Sequence, residues 1–256
     1  SEVLDLAERM VEGPTSVQPV RPLVPQMVLI PAGEFLMGSD PALDRWAREY
    51  EQPQHSLFLP AYAMAVTPVT NAQYAPFVAA GGQRGPLDWQ DGRPPEDKVD
   101  HPVARVSWND ALAYCEWLSE VTGKTYRLPT AAEWEKGARG TDGRIFPWGD
   151  LWHKAQCNTK EGGVGGTTPV GSYPDGASPY GLLDMLGNVW EWCSSLHRPY
   201  PYRHDDGRED MTASGDRELR GGSWDLSVEV ARCAVRSGGL PLGSLDLIGF
   251  RVVSPA

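Results

Sequence analysis

Apolar positions recur at helical spacing in three internal segments, and each segment opens on the same cap chemistry. Thr70 with Gln73 precedes Tyr74, Phe77 and Val78, and the pattern stops at Gly81-Gly82. Ser107 with Asp110 precedes a face of Trp108, Leu112, Cys115 and Leu118 that ends before Gly123. Thr130 with Glu133 opens a short third helix around Trp134 that closes at Gly140. In each, a hydroxyl and the side chain three residues on satisfy otherwise orphaned amides reciprocally. Pro76 is expected to shorten or kink the first of these helices. Leu4, Ala7, Met10 and Val11 predict a further amphipathic helix over residues 1–13, followed by a proline-bearing linker over 14–25.

The strand signal is concentrated early. Residues 27–33 read as a buried strand entering a turn, residues 35–39 as its hairpin partner, and residues 56–66 as a returning strand. The charged stretch 40–55 is expected on the surface. Beyond Pro147 periodicity mostly disappears: turns punctuate the chain, residues 187–192 form a compact aromatic segment, and the polar residues 197–218 predict a long loop. No break within 27–256 divides that region, so one domain is expected there, with 1–26 as helix and linker. Chain this irregular needs some device to satisfy its backbone polar groups, and bound metal or buried water are the usual ones.

Residues 219–253 stand apart. Leu-Arg-Gly-Gly-Ser-Trp at one end and Ile-Gly-Phe-Arg-Val-Val at the other look fixed by packing. Between them, residues 225–247 contain no aromatic residue, Lys, Asn, Gln or Met, and follow neither strand nor helix periodicity over most of their length. A rigid frame around such an insert has the form of a binding surface on a scaffold, although an ordinary surface loop has the same residue pattern.

Composition narrows the function classes. A net charge of −11 argues against a nucleic-acid backbone or an anionic membrane surface as the main partner. The 28 glycines and 23 prolines imply loops, while ten tryptophans and 41% hydrophobic residues exclude disorder. No apolar run reaches membrane-spanning length, so membrane insertion is not expected. Cys115, Cys157, Cys193 and Cys233 form no closely spaced pair and are expected as buried free thiols. The cytoplasm is the expected location unless a leader has been removed or the protein is displayed on a surface or particle.

Several short strings are shared with one family. Residues 27–33 with Met37-Gly38, Pro68-Val69-Thr70-Asn71, Val106-Ser107-Trp108, Arg127-Leu128-Pro129-Thr130, Glu133-Trp134-Glu135, residues 187–192, residues 220–224 and Gly249-Phe250-Arg251 follow in order. Together they resemble the formylglycine-generating, or sulfatase-modifying factor, family. That resemblance implies an α+β, C-type lectin-like fold with a small twisted antiparallel sheet, two main helices and extensive loops. Fold alone does not settle function.

Three branches of the family offer different chemistry. The copper oxidase branch converts a substrate cysteine to formylglycine and needs two thiolates five residues apart, a soft pair suited to Cu(I). Residues 232–237, Arg-Cys-Ala-Val-Arg-Ser, match the string around the second thiolate at Cys233, but Val228 stands at the first, so no copper is expected. The iron branch of ergothioneine biosynthesis draws its ligands from a helical bundle before this fold. Few residues precede Met27, and the five histidines show no ligand spacing on a helix. The third branch comprises targets of diversity-generating retroelements, whose C-terminal end is randomised between a similar frame. It implies a non-catalytic protein binding a protein or cell-surface ligand through Asp225, Leu226, Val228, Val230, Val235, Ser237, Gly238, Gly239, Leu240, Leu242, Ser244, Leu245, Asp246 and Leu247.

The resemblance also implies calcium, with carboxylates from Asp184 and Glu191 and carbonyls from Gly187 and Val189. Capping of turns or pairing with an arginine is the competing role for those two acids. A second calcium position retains Asn158 and Thr159 but has only Glu161 near the place of its expected aspartate. Trp224 is expected to be a buried anchor of the frame.

Overall fold

The computed structural model describes residues 22–83 and 85–256; the expected helix over 1–13 and most of the following linker lie outside the described residues. All three capping boxes form. They open α1 (Asn71–Ala79), α2 (Trp108–Thr122) and α3 (Ala131–Arg139), with Thr70, Ser107 and Thr130 as the caps. Pro76 sits inside α1, which still runs nine residues. Gly123 ends α2 in the left-handed region at φ 70°, a conformation that costs glycine little.

The strands pair differently from the expected first hairpin. β1 (Met27–Ile30) pairs with β4 (Tyr62–Ala65), while β2 (Gly33–Met37) pairs with β3 (His55–Leu59), both antiparallel. Pro31-Ala32 explains the change. A two-residue reversal needs positive φ at one or both positions, which proline cannot adopt and alanine resists. β1 is also an edge strand, beside β4, and Leu29 is exposed. The last strand, β9 (Val253–Pro255), pairs with β4, so the chain's end closes on its beginning.

A second sheet of four strands carries the C-terminal window. β5 (Trp190–Leu196) is buried along its whole length between β6 (Arg217–Arg220) and the short β8 (Ile248–Gly249). β7 (Arg236–Gly239) is the edge strand beyond β6. Two apolar clusters flank these sheets. One joins α1 and α2 to Trp192, Val235 and Phe250; the other joins α3 to Phe35, Met64, Cys193 and Cys233.

Among the described residues seven arginines are buried: 139, 208, 217, 220, 232, 236 and 251. Residues 40–55 lie largely at the surface, but Asp44 and Glu51 within them are buried and both bind Arg232. Glu135 receives Arg139 and Arg220, Glu218 receives Arg236 and His197, and Glu191 receives Arg251. The carboxyl of Glu218 is held down at about 2 despite its burial, chiefly by the Arg236 charge.

Such pairs are costly to break. Arg251→Met would leave Glu191 buried and charged with only the Trp134 indole as donor, so we expect a loss of ~3–5 kcal/mol in urea unfolding. Adding Glu191→Leu should recover most of it. A single-mutant loss below ~1 kcal/mol would show that this pair does not hold the fold.

Candidate functional site

The frame of the C-terminal window is built by close approach of backbone to side chain. Gly221 has φ 94°, and a Cβ there would lie 3.0 Å from the Met185 carbonyl oxygen. A Cβ on Gly249 would lie 2.4 Å from the carbonyl oxygen of Val103. Phe250 and Arg251 are completely buried. Trp224 is the exception: it is only partly buried and lines a cleft, so it is no core anchor.

The insert divides into three kinds of position. Asp225, Gly238, Leu240, Leu242, Leu245 and Asp246 are exposed, the three leucines at 70%, 79% and 57%. Leu226, Val228, Val230, Ser237, Gly239, Ser244 and Leu247 are half-buried. Val235 is buried in the first apolar cluster, which removes it from any ligand-facing surface. Gly239 is constrained as well, since a Cβ there would lie 2.6 Å from the Trp192 ring. The expected surface therefore contracts chiefly to residues 240–246, with Asp225 exposed separately at the start of the insert.

That loop is apolar outside and fixed inside. The Pro241 carbonyl accepts from the Trp108 amide at 3.1 Å, and the Leu245 carbonyl accepts from the Arg105 amide at 3.1 Å. A turn from Gly243 N–H to the Leu240 carbonyl, 2.8 Å, shapes its tip. Its backbone is anchored while its leucines meet water. Earlier in the insert, the Val228 amide donates to Glu161 Oε1 at 2.9 Å and the Lys160 amide to the Leu226 carbonyl at 3.0 Å.

The redox position is sealed. Cys233 is completely buried, and burial pushes its thiol up to about 12. At neutral pH it is a protonated apolar side chain, not a thiolate. Val228 packs against the same apolar cluster and supplies no donor. All four cysteines are buried and free, as expected.

The calcium expectation meets a competing geometry. Both Glu191 oxygens are engaged: Oε2 accepts from Arg251 Nε and from the Trp134 indole, each at 2.7 Å, and Oε1 from Arg251 Nη2 at 2.8 Å. Asp184 Oδ2 accepts from the Gly171 amide at 2.6 Å, and burial raises its carboxyl pKa. The Gly187 amide donates to the Gly221 carbonyl, and Val189 is buried. At the second position, Asn158 Oδ1 and Thr159 Oγ1 are buried without hydrogen-bond partners, but Glu161 is turned to the Val228 amide. Among the described residues no three His, Cys, Asp or Glu side chains are grouped to hold a metal. The set around Glu191 does not fit a cation while Arg251 neutralises it.

Sequence reasoning missed the surroundings of the insert. Asp44 and Glu51, which hold Arg232, and Arg105, which props the loop at Leu245, come from distant segments. Their only sequence signal is the excess of charged residues in otherwise apolar company.

We expect Leu240→Asp and Leu242→Asp to leave the melting temperature within ~1–2 °C of wild type, whereas Val235→Asp should cost several kcal/mol or abolish folding. Equal losses would refute the division between frame and surface. Calcium and a chelator should give the same melting temperature; a calcium-dependent rise that Asp184→Asn removes would establish the metal site instead.

Comparison with known proteins agrees with this geometry. The sulfatase-modifying factor enzyme 1-like domain matches residues 14–256. Hercynine oxygenase of Mycolicibacterium smegmatis is 33% identical over 267 residues, which are 88% of this chain and 60% of that protein. The chain thus spans less than two thirds of that relative's length. PvdO from Pseudomonas aeruginosa superposes with a TM-score of 0.77 at 28% identity, over 96% of this chain and all of that one. Treponema denticola variable protein 1 shares the fold, with a TM-score of 0.72 at 24% identity over 90% of this chain and 95% of that one. This chain belongs to the sulfatase-modifying factor enzyme 1-like domain family and has its α+β, C-type lectin-like fold, with three α-helices among the described residues.

Proposed function

We propose that this chain is a non-catalytic ligand-binding member of the family, with its partner seated on the loop of residues 240–246. The observation that carries the reading is the exposure of Leu240, Leu242 and Leu245 on a backbone anchored to Trp108 and Arg105. Exposed leucines on a fixed loop fit an apolar contact patch better than a sugar site, which needs converging polar groups. The partner is a protein or a cell-surface ligand. A net charge of −11 disfavours nucleic acid, and no helix among the described residues is long and apolar enough to cross a membrane.

Variation of this loop, as in targets of diversity-generating retroelements, is the origin we assign to its composition. The positions we assign to variation are the exposed Asp225, Leu240, Leu242, Leu245 and Asp246, with the half-buried Ser244 of the same loop. Val235 and Gly239 are not among them, because packing specifies both. The shared fold with the Treponema variable protein is compatible with this reading and does not carry it.

A second reading, a metal-dependent oxidase, is favoured by the identity to hercynine oxygenase. Cys233, solitary and protonated, disfavours the copper form of it. Titration with Cu(I) against a chromophoric chelator, followed by oxygen uptake with a cysteine-containing peptide, separates the readings. We expect no stoichiometric tight binding and no turnover; both together would overturn the proposal. Flanking DNA should also carry a near-copy of the codons for 219–253, adenine-rich at the six positions above, and its absence would remove the diversified origin.

A further inference from the structure

Beside the leucine loop lies a cleft of about 240 Å³. Its walls come from the start of α1, Asp88, residues 98–105, the glycine-rich loop 165–167, and the two ends of the C-terminal insert at Trp224 and Asp246. Polar atoms without protein partners collect there. Asn71 is 94% buried, and its Nδ2 donates to the Lys98 carbonyl at 2.8 Å, but its Oδ1 accepts from no group among the described residues. The backbone amides of Gly165, Gly166 and Thr167 and the Trp224 indole N–H are likewise without acceptors among the described residues. Gly165, at φ 74°, turns this run of amides into the kind of concavity that receives anions.

Two cations, Lys98 and Arg105, and two carboxylates, Asp88 and Asp246, line the cleft. Arg105 stands between Asp246, at 3.3 Å, and Asp88, at 3.8 Å, so its one charge is shared by two carboxylates and is not left for a ligand. Lys98 forms no ion pair among the described residues. Arg105 itself has φ 60°, a left-handed conformation that non-glycine residues adopt at a cost, often where a ligand is received. Thr167 is held by its hydroxyl on His101 Nδ1 at 2.9 Å, which fixes the end of the amide run. Trp224 adds a partly exposed aromatic face to the cleft.

We propose that this cleft binds a small ligand through an oxyanion, a carboxylate or a phosphoryl group. The amides of 165–167 and the Lys98 ammonium receive the anion, Asn71 Oδ1 accepts an N–H or O–H of the ligand, and an apolar body lies on Trp224. The inference does not depend on the reading of the leucine loop, because none of its contacts involves Leu240, Leu242 or Leu245.

The test uses the whole chain and intrinsic tryptophan fluorescence, with N-acetyl-leucine as the carboxylate probe, N-acetyl-leucinamide as its uncharged counterpart, and inorganic phosphate. A saturable change with the acid, at least about ten-fold weaker with the amide, is expected from loss of a charge-assisted contact. Phosphate that competes with the acid and binds more tightly assigns the phosphoryl source; phosphate that does not compete assigns the carboxylate. Lys98→Ala, an exposed position, should weaken either anion by about ten-fold without moving the melting temperature. Gly165→Ala, strained at positive φ, should weaken it as well. Equal binding of acid and amide, no saturation by either anion at millimolar concentration, or unchanged binding by Lys98→Ala would overturn the proposal. A Leu240→Asp variant that binds the probe normally keeps this test separate from the loop reading.

Discussion

Buried guanidinium groups hold this fold where regular secondary structure does not. The strands are short and long stretches of chain are irregular, so many carbonyls have no ladder partner. Arginine supplies several donors in one planar head and can bind a carboxylate and nearby carbonyls together. Arg217 reaches carbonyls at Ser194, Asp210, Met211 and Ala213; Arg251 reaches those at Ala65, Val66 and Leu183 while gripping Glu191. A methionine or leucine of equal volume would fill the space and leave those carbonyls unsatisfied, a cost of roughly 1–3 kcal/mol for each buried one. The backbone's need for partners, more than the ion pairs themselves, accounts for the burial of so much charge.

Five of the seven buried arginines lie between residues 217 and 251. Each binds a different part of the molecule: Arg220 meets Glu135 of α3, Arg232 the segment from Asp44 to Glu51, Arg236 the adjacent Glu218, and Arg251 β5 through Glu191. The C-terminal window is therefore fastened at intervals, with its exposed positions between the fastenings. A substitution at Leu242 touches none of these groups, whereas one at Val235 enters the core between Arg232 and Arg236. This explains physically how one stretch of chain can contain both the fold's firmest contacts and its most exposed apolar side chains.

Local rules made part of this legible in the sequence. The capping boxes at Thr70, Ser107 and Thr130 were readable because each involves residues three apart, and all three form. The frame glycines were readable because shared strings drew attention to them. What was not readable depends on long-range pairing. Pro31-Ala32 directs β2 to β3 instead of β1, and Asp44 and Glu51 look like surface charge until Arg232, some 180 residues away, is placed beside them. Val235 and Leu240 are both apolar residues of the same insert, yet one is buried and the other mostly exposed, because β7 ends between them. Glu191 looked like a hard-metal ligand for the same reason that it makes a good arginine partner: its chemistry suits both, and only geometry distinguishes them.

Geometry also limits what chemistry the C-terminal window can support. A thiolate needs either water or a nearby cation; Cys233 has apolar neighbours, and the cations that lower its pKa do not overcome its burial. Polar atoms of Trp224, Arg105 and the loop around Gly166 instead line a cleft that does not include Cys233. The same fastening that seals the cysteine presents these groups: Arg105 is positioned by its amide on Leu245, and Trp224 by its amide on the Asn188 carbonyl. Asn188 in turn receives the Thr168 amide on its side chain, at 3.1 Å, and so connects the aromatic segment to the loop that carries Gly165 to Thr167. An interior rigid enough to bury a thiol therefore also orders the donors at its surface. Binding chemistry follows from this arrangement more directly than redox chemistry does.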